Sequence, residues 1–306
     1  MDDLTARLAA QQAAGLYRRV RTIRARQGAT VTVDDRTLID FSSNDYLALT
    51  AHPALRAAAT AALAEYGAGA GAARLMSGAL PPHAQLEQAL AACTGRPAAL
   101  LFPSGYQANV AAIAALMQPG DAVFADRLCH ASIIDGIHLS GARLHRFRHN
   151  DIAHCRALLA EHRPLCRRAL LVTESIFSMD GDRAPLTEFA ALRRECNVQL
   201  MVDEAHAFGV FGPHGAGLVA AAGLSDAVDM LVVTFGKALG ATGAAVIGSA
   251  VLIDWLINSA RGFIFSTAPP PAVAASVVAA LALLPALDAE RARVLALAAQ
   301  LRAGLA

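Results

Sequence analysis

The sequence predicts an α/β protein of three layers, in which a mostly parallel sheet carries helices on both faces. Short apolar runs of strand length alternate along the chain with segments of helix length, and this alternation is typical of parallel sheets. The runs are continuously apolar, as expected for strands buried on both sides. Polar and glycine-rich stretches follow the runs directly, where ligands of such sheets bind. With 306 residues, 55% of them hydrophobic, the chain can bury a large core.

Composition and charge exclude several classes of function. The formal net charge of +1 gives no general reason to expect a nucleic acid partner. The five cysteines are odd in number and form no CxxC pair, which favours reduced thiols in the cytoplasm over a disulfide framework or a zinc site. We therefore predict no metal. The first residues are acidic and polar and lack the apolar segment of a signal peptide.

The longest uncharged run covers residues 268–287 and is the one candidate for a membrane segment. Prolines interrupt it, and the uninterrupted part is shorter than the about 20 residues that a membrane span needs. A buried or interface helix is the prediction here, and no membrane partner is expected.

Residues 1–50 are predicted to form an arm of one helix and one hairpin. Good helix formers continue from residue 2 to about residue 27, and residues 30–33 and 37–41 favour two strands joined by a turn. Five arginines crowd the end of the predicted helix: Arg18, Arg19, Arg21, Arg24 and Arg26. They form either a solvated helix end or an anion site for a carboxylate, for coenzyme A phosphates or for an acidic carrier protein.

Residues 51–270 are predicted to form one large domain in which helices and strands alternate. An alanine-rich helix at 53–66 leads into a glycine-rich loop, which lacks the strand before and the helix after that a dinucleotide fingerprint needs. The further predicted helices are 83–94, 107–117, 132–140, 151–162 and 186–195. The predicted strands are 98–102, 122–125, 143–147, 169–173, 198–202 and 230–233. In a parallel sheet the polar residues after these strands meet at one edge.

A single lysine follows the last of these strands, in the stretch LVVTFGKALG at 231–240. Lys237 lies on a glycine-flanked loop close to Thr234, where an amine could form a Schiff base with an aldehyde cofactor. The alternative is an ordinary solvated loop lysine.

Other strand ends carry residues that suit the same cofactor. Residues 104–107 begin a helix whose free N–H groups could hold a phosphate. Asp203 follows a buried strand and is costly there unless it meets a cation or hydrogen-bond donors; the pyridinium nitrogen of pyridoxal phosphate is such a cation. His130 precedes a helix, and a long polar loop starts at Glu174. A helicase interpretation of DEAH at 203–206 fails, because the chain has no GxxxxGK[ST] motif.

Seven stretches of the sequence form a specific set. They are FSSNDYLAL, ALLFPSGYQAN, DRLCHASIIDG, TESIFSMDGD, LMVDEAHAFGVFGPHGAG, VVTFGKALG and FIFST. Together they resemble the α-oxoamine synthases, a family of fold-type I pyridoxal phosphate enzymes, and the resemblance extends over residues 15–270. It implies pyridoxal 5'-phosphate as the cofactor and a homodimer with its sites at the subunit interface.

The resemblance also implies a role for each matching residue. Lys237 would form the Schiff base and act as the base on the substrate α-carbon. Asp203 would pair with the pyridine nitrogen, His130 would stack on the ring and orient the substrate carbonyl, and His206 would hydrogen-bond the phenolic oxygen. Further cofactor contacts are implied for Gly105, Tyr106, Ser178 and Thr234, and for Thr267, which would reach the phosphate of the neighbouring subunit. The implied substrate contacts are Asn44, Glu174, His130 and Arg18, for which Arg19 fits almost as well.

The implied reaction is the decarboxylative condensation of L-alanine with a pimeloyl thioester of coenzyme A or acyl-carrier protein, as in biotin biosynthesis. One alternative is a sister enzyme that uses glycine or serine, of the glycine C-acetyltransferase or 5-aminolevulinate synthase type. Others are a fragment that binds the cofactor without activity and an RNA-binding protein that uses the arginines at 18–26.

The sequence departs from the family pattern in three places. The stretches DYLALT and GAGAARLMSG replace glycine-containing family motifs, which leaves the role of Arg74 open. Family members also continue into a small C-terminal domain that supplies an arginine for the substrate carboxylate. Residues 271–306 are accordingly expected to be the incomplete start of that domain.

Overall fold

A computed structural model describes residues 2–305, which divide into one unit that ends at Ser43 and a second that starts at Asn44. The first unit contains a helix, α1 (Asp2–Ala13), and a small antiparallel sheet. Its strands are β1 (Ala25–Gln27), β2 (Thr30–Val33) and β3 (Arg36–Ile39), in that order. The predicted hairpin is present as β2 and β3, and the turn residues Asp34 and Asp35 have φ of 49° and 59°, as a tight two-residue hairpin turn requires.

The prediction of one helix from residue 2 to residue 27 is wrong. The helix ends at Ala13, and Gly15 follows with φ of 69°, a left-handed conformation that ends helices. Residues 16–24 have no regular structure, and β1 then pairs with β2. The β-branched residues Val20, Thr22 and Ile23 favour this extended course over a helix. The arginines at 18–26 therefore do not form a basic helix end.

The second unit is built on a seven-stranded sheet with the order β4-β10-β9-β8-β7-β5-β6. Its strands are β4 (Ala98–Phe102), β5 (Ala122–Asp126), β6 (Arg143–Phe147), β7 (Ala169–Glu174), β8 (Gln199–Asp203), β9 (Met230–Thr234) and β10 (Ala244–Gly248). The strands from β9 across to β6 pair in parallel, and β10 is antiparallel to both of its neighbours. The predicted mostly parallel sheet is confirmed, and the six predicted strands lie within one residue of their observed bounds.

The antiparallel strand β10 was not predicted from the sequence. Its residues AAVIG follow Gly243, and Ala244 and Ala245 continue the small-residue stretch after Lys237. Only residues 235–243 separate β9 from β10, and so short a connection permits antiparallel pairing but not a parallel crossover.

Helices cover both faces of the sheet, as predicted. They are α2 (Pro53–Tyr66), α3 (Pro81–Thr94), α4 (Gly105–Leu116), α5 (Ala131–Ser140), α6 (Ile152–His162), α7 (Leu186–Glu195), α8 (Leu218–Ala221), α9 (Ala250–Ser259), α10 (Arg261–Ile264), α11 (Pro271–Leu283) and α12 (Asp288–Leu305). The helices α8, α9 and α10 were not predicted. Helix α11 packs on α2 and α3, and the proposed boundaries at residues 50 and 270 stay a prediction.

The core consists of two apolar layers separated by the sheet. Leu231 and Val233 of β9 pack in one layer, with α3, α6, α7 and α11, whereas Val232 packs in the other, with α4, α5 and α9. This alternation follows from the period of two along a strand. Each large side chain that is buried in this way contributes about 1.5–3 kcal/mol to stability.

No single helix within residues 2–305 has the length and apolar character to cross a membrane, although the pair Pro271–Ala286 and Asp288–Leu305, bent by 82°, meets that test on length and composition. The first of these helices is the buried helix that the proline-interrupted run predicts: Ala274, Val277 and Ala280 belong to the core.

Candidate active site

The carboxyl ends of β7, β8 and β9 meet at one cavity of about 280 Å³. Each strand contributes its last residue to the wall, namely Glu174, Asp203 and Thr234. The structure therefore brings together most of the residues that the strand ends predicted. The full lining is Asn44, Ser104, Gly105, Tyr106, Asn109, His130, Glu174, Asp203, Ala205, Thr234, Gly236, Lys237, Thr242 and Gly243.

Lys237 lies on the loop between β9 and β10, and it is the only lysine in the sequence. Its Nζ is 3.4 Å from Thr234 Oγ1. The loop is tight because Gly240 and Gly243 have φ of 63° and 106°, which glycine adopts without steric cost. Burial lowers the pKa of Lys237 below its ordinary value, although the Asp203 and Glu174 carboxylates oppose this shift. A lowered pKa makes the neutral, nucleophilic amine more accessible.

Asp203 ends β8 and is only 5% exposed. Its Oδ1 accepts a hydrogen bond from the Ala205 N–H at 2.9 Å, and its Oδ2 accepts one from Asn109 Nδ2 at 2.8 Å. Two donors orient this carboxylate, yet neither carries a charge. A buried carboxylate of this kind is stabilised further by a cation.

Glu174 ends β7 and is the second buried carboxyl group of the cavity. Burial raises its pKa to about 8, and repulsion from Asp203 adds to the effect. The His130 N–H donates to Glu174 Oε1 at 2.5 Å and opposes the shift. The cavity thus concentrates acceptor groups that a positively charged ligand would stabilise.

The N-terminus of α4 forms another wall of the cavity. Ser104 caps the helix, since its Oγ accepts from the Gln107 N–H at 3.2 Å. As the first residues of the helix, Gly105 and Tyr106 have N–H groups without intrahelical acceptors. A Cβ atom on Gly105 would lie 2.6 Å from Thr234 Cγ2, so only glycine lets the helix start this close to β9. The arrangement suits an anion such as a phosphate.

His130 caps α5 at the same edge of the sheet. Its Nδ1 accepts from the Ser132 N–H at 3.3 Å and lies 2.8 Å from Ser132 Oγ. His130 and Asn44 both line the cavity, as predicted for groups near a substrate.

His206 directly follows the cavity residue Ala205 and is not part of the lining. Its Nδ1 is 2.7 Å from Tyr46 Oη. Burial lowers its pKa to about 4, and the charges of Lys237 and His130 add to this shift. The ring is therefore neutral around pH 7, and its implied bond to the cofactor stays a prediction.

Ser178 and Thr267 are exposed and lie outside the cavity lining. Ser178 lies on the loop between β7 and α7, which His149 ties to the sheet by contacts with Asp126 at 2.9 Å and Asp182 at 2.8 Å. Thr267 forms an isolated bridge with Ala73. Their roles as cofactor contacts stay predictions.

Two arginines considered from the sequence lie elsewhere. Arg18 is exposed in the first unit, so its implied contact with substrate stays a prediction. Arg74 donates two hydrogen bonds of 3.0 Å to Glu87, which also accepts from the Leu101 N–H. Arg74 thereby joins its loop to α3 and β4.

Asn109 is the buried polar residue of the cavity that sequence reasoning missed. It is 1% exposed and lies one helical turn after Gly105. The signal was present, because Asn109 is a polar residue within an otherwise apolar helix face. Ala205, Thr242 and Gly243 also line the cavity without having been predicted.

Fold and cavity together define a three-layer α/β protein in which a lysine and buried carboxyl groups meet at the carboxyl edge of the sheet. This is the architecture of fold-type I pyridoxal phosphate enzymes. The chain belongs to the aminotransferase class I and II family, whose model matches residues 36–306.

Curated relatives match the chain throughout its length. It is 51% identical to 8-amino-7-oxononanoate synthase from Anaeromyxobacter sp. (strain K), over 100% of the chain and 76% of the relative. It is 49% identical to the enzyme of that name from Alkalilimnicola ehrlichii, over 98% of the chain and 76% of the relative. The chain thus spans about three-quarters of the length of these relatives.

Solved structures share the fold. Serine palmitoyltransferase from S. paucimobilis, solved with a bound PLP–myriocin aldimine, superimposes with a TM-score of 0.89 at 30% identity, over 95% of this chain and 74% of that one. A structure of 8-amino-7-oxononanoate synthase from Francisella tularensis gives a TM-score of 0.73 at 32% identity, over 84% of this chain and 72% of that one.

Proposed function

We propose that the chain is an 8-amino-7-oxononanoate synthase, which condenses L-alanine with a pimeloyl thioester and releases carbon dioxide and the thiol in biotin biosynthesis. The observation that carries this proposal is the meeting of Lys237, Asp203 and Glu174 at one cavity. Identity of 51% over the whole chain to a protein of this name supports it.

The cavity fits pyridoxal 5'-phosphate. Asp203 and Glu174 are buried acceptors that favour a cation, and the protonated pyridine nitrogen is one. The buried Oδ1 of Asn109 has no hydrogen-bond partner among residues 2–305, so a donor on a bound molecule would satisfy it. The N–H groups at the start of α4 would hold the phosphate, close to Thr234.

The bound cofactor would supply an electron sink for charge that develops on the substrate α-carbon. Lys237 Nζ is the group that would take the proton from that carbon, since burial favours its neutral form. Asp203 would keep the pyridine nitrogen protonated, and His130 would orient the substrate carbonyl. Asn44 and Glu174, which also line the cavity, would contact the substrate.

Further contacts complete the proposal. His206 would hydrogen-bond the phenolic oxygen of the bound cofactor, Ser178 would contact the cofactor, and Arg18 would bind the substrate. Thr267 is exposed and would serve the cavity of a second subunit in a homodimer. We place the enzyme in the cytoplasm, where coenzyme A or acyl-carrier protein would deliver the pimeloyl group.

A second candidate is a sister enzyme that uses serine or glycine. The observation in its favour is the TM-score of 0.89 to a serine palmitoyltransferase, against 0.73 to an 8-amino-7-oxononanoate synthase.

Product analysis decides between the two. Purified protein with pyridoxal phosphate and pimeloyl-coenzyme A is incubated with alanine, serine or glycine, and the products are identified by mass spectrometry. We expect 8-amino-7-oxononanoate from alanine and at least about tenfold slower thiol release with the other two. Refusal of alanine while serine or glycine reacts would select the second candidate. Cofactor binding without thiol release from any amino acid would mean that the chain is inactive.

A further inference from the structure

A buried chain of hydrogen bonds connects Asp203 to His130. Asn109 Nδ2 donates both to Asp203 Oδ2 at 2.8 Å and to Ser132 Oγ at 3.0 Å. Ser132 Oγ is in turn 2.8 Å from His130 Nδ1. Asn109 is 1% exposed and Ser132 is 0% exposed, so water does not compete for the bonds that join Asp203, Asn109 and Ser132. The contact between Ser132 and His130 is part-buried.

The groups at the two ends of this series, Asp203 and His130, determine which atom donates in each hydrogen bond. A carboxylate oxygen only accepts hydrogen bonds, so the amide of Asn109 must turn its NH₂ group toward Asp203. The second hydrogen of that NH₂ group then points to Ser132 Oγ, which acts as the acceptor. The single hydroxyl hydrogen of Ser132 is left for His130 Nδ1. The backbone N–H of Ser132 also donates to Nδ1, and a backbone N–H cannot reverse its role.

We infer that Asn109 and Ser132 form a buried relay through which Asp203 keeps the proton of neutral His130 on Nε2. Nδ1 receives two donors and cannot carry a proton itself. Within residues 2–305 no acceptor is found for Nε2, and His130 lines the cavity. The relay therefore supplies an N–H donor for an oxygen atom of the bound substrate.

The role of the relay in catalysis rests on the proposed function. The hydrogen bonds of the relay and the tautomer of His130 do not depend on that function. Ser132 is a positioning residue, because it acts on the substrate through His130. Asn109 acts through His130 in the same way and also lines the cavity itself. Asp203, which would stabilise the cofactor nitrogen, thus also sets the tautomer of the His130 imidazole at the other end of the relay.

The test is nitrogen-15 magic-angle-spinning spectroscopy of protein labelled only at histidine. Spectra are recorded without cofactor at about pH 8, where an ordinary imidazole is neutral, and His130→Gln identifies the His130 signals among those of the other histidines. We expect wild-type His130 to be protonated at Nε2 alone. Ser132→Ala should populate the Nδ1-protonated form to on the order of a tenth or more, because one donor hydrogen bond is lost. Asn109→Ala should shift the population in the same direction.

Ser140→Ala is the matched control. Ser140 is a buried serine on the same helix, and its hydroxyl donates to the Ile137 carbonyl. We expect its spectrum to equal that of wild type, while Ser132→Ala lowers kcat about tenfold with little change in the KM for alanine.

A wild-type proton on Nδ1, or Ser132→Ala and Asn109→Ala spectra that both match wild type, would overturn the inference. The spectra decide this whether or not the wild type makes product from alanine. A failure of the proposed function is therefore distinguishable from a failure of the relay.

Discussion

At the scale of single residues, the site depends on one amine whose surroundings change its chemistry. Every other basic side chain among the 26 lysines and arginines is an arginine, and a guanidinium neither loses its proton in proteins nor forms a Schiff base readily. Burial lowers the pKa of Lys237, while the charges of Asp203 and Glu174 oppose this shift. Lys237 can also be labelled selectively with amine-directed reagents, because the sequence contains no second lysine side chain that would react.

We predict that borohydride reduction attaches pyridoxal phosphate to the wild-type chain at Lys237 and nowhere else among its side chains. Lys237→Ala should bind the cofactor reversibly, lose it on denaturation after reduction, and show no thiol release. Peptide mass spectrometry locates the attached group. Attachment at an unchanged level in Lys237→Ala would show that another amine, such as the chain terminus, holds the cofactor.

At the scale of elements, the turn after β8 is organised around Glu204. This carboxyl group is 0% exposed, and its Oε1 accepts from the Val219 N–H at 2.7 Å. Gly217 passes so close that a Cβ atom on it would lie 1.6 Å from Glu204 Oε2. The same segment carries His206, so the packing of Glu204 against Gly217 holds the turn beside the cavity.

Two glycines of this segment make a matched test of that packing. Gly217 and Gly223 have φ of 98° and 66°, and a Cβ atom on Gly223 would meet nothing within 4 Å. Gly223→Ala should cost about 1 kcal/mol from left-handed strain alone. Gly217→Ala should cost about 3 kcal/mol or more, because it also displaces a buried carboxyl group. Urea unfolding gives both values, and equal costs would contradict the role of Glu204.

At the scale of the whole molecule, buried carboxyl groups make stability depend on pH. Burial raises the pKa of Glu174 from 4.5 to about 8 and that of Glu204 from 4.5 to about 7. The folded protein therefore binds more protons than the unfolded chain between these values. The stabilisation by the protonated groups is complete below about pH 4.5 and is lost as the pH rises through 7 and 8.

We predict that the free energy of unfolding of the cofactor-free protein falls as the pH is raised from about 4.5 to about 8. Glu204→Gln should flatten this decline by about 3 kcal/mol, since glutamine does not titrate. Glu290→Gln, at an exposed carboxylate of α12, is the control and should leave the slope unchanged. Urea unfolding at several pH values measures these quantities. A Glu204→Gln profile parallel to that of wild type would refute the prediction.

Much of the sheet and its functional edge could be predicted from sequence because both depend on local patterns. Continuous apolar runs bounded by polar residues located six strands, and the edge rule for parallel sheets placed Lys237 and Asp203 at the same cavity. The N-terminal helix was overextended because helix propensity is a weak guide where extended pairing competes. Strand β10 was missed because its register depends on its neighbours β4 and β9.

By itself the sequence determined the fold class, the family and the amine, since periodicity and motif spacing are properties of the chain alone. Only the tertiary structure decided which side chains join in one hydrogen-bond network. Asn109, Ser132 and Asp203 are far apart in sequence, and Asn109 comes within hydrogen-bonding distance of the other two only after α4, α5 and β8 have packed. The raised pKa of Glu174 likewise needs burial and a neighbouring carboxylate. Both effects depend on distance and solvent exclusion, which no local pattern encodes.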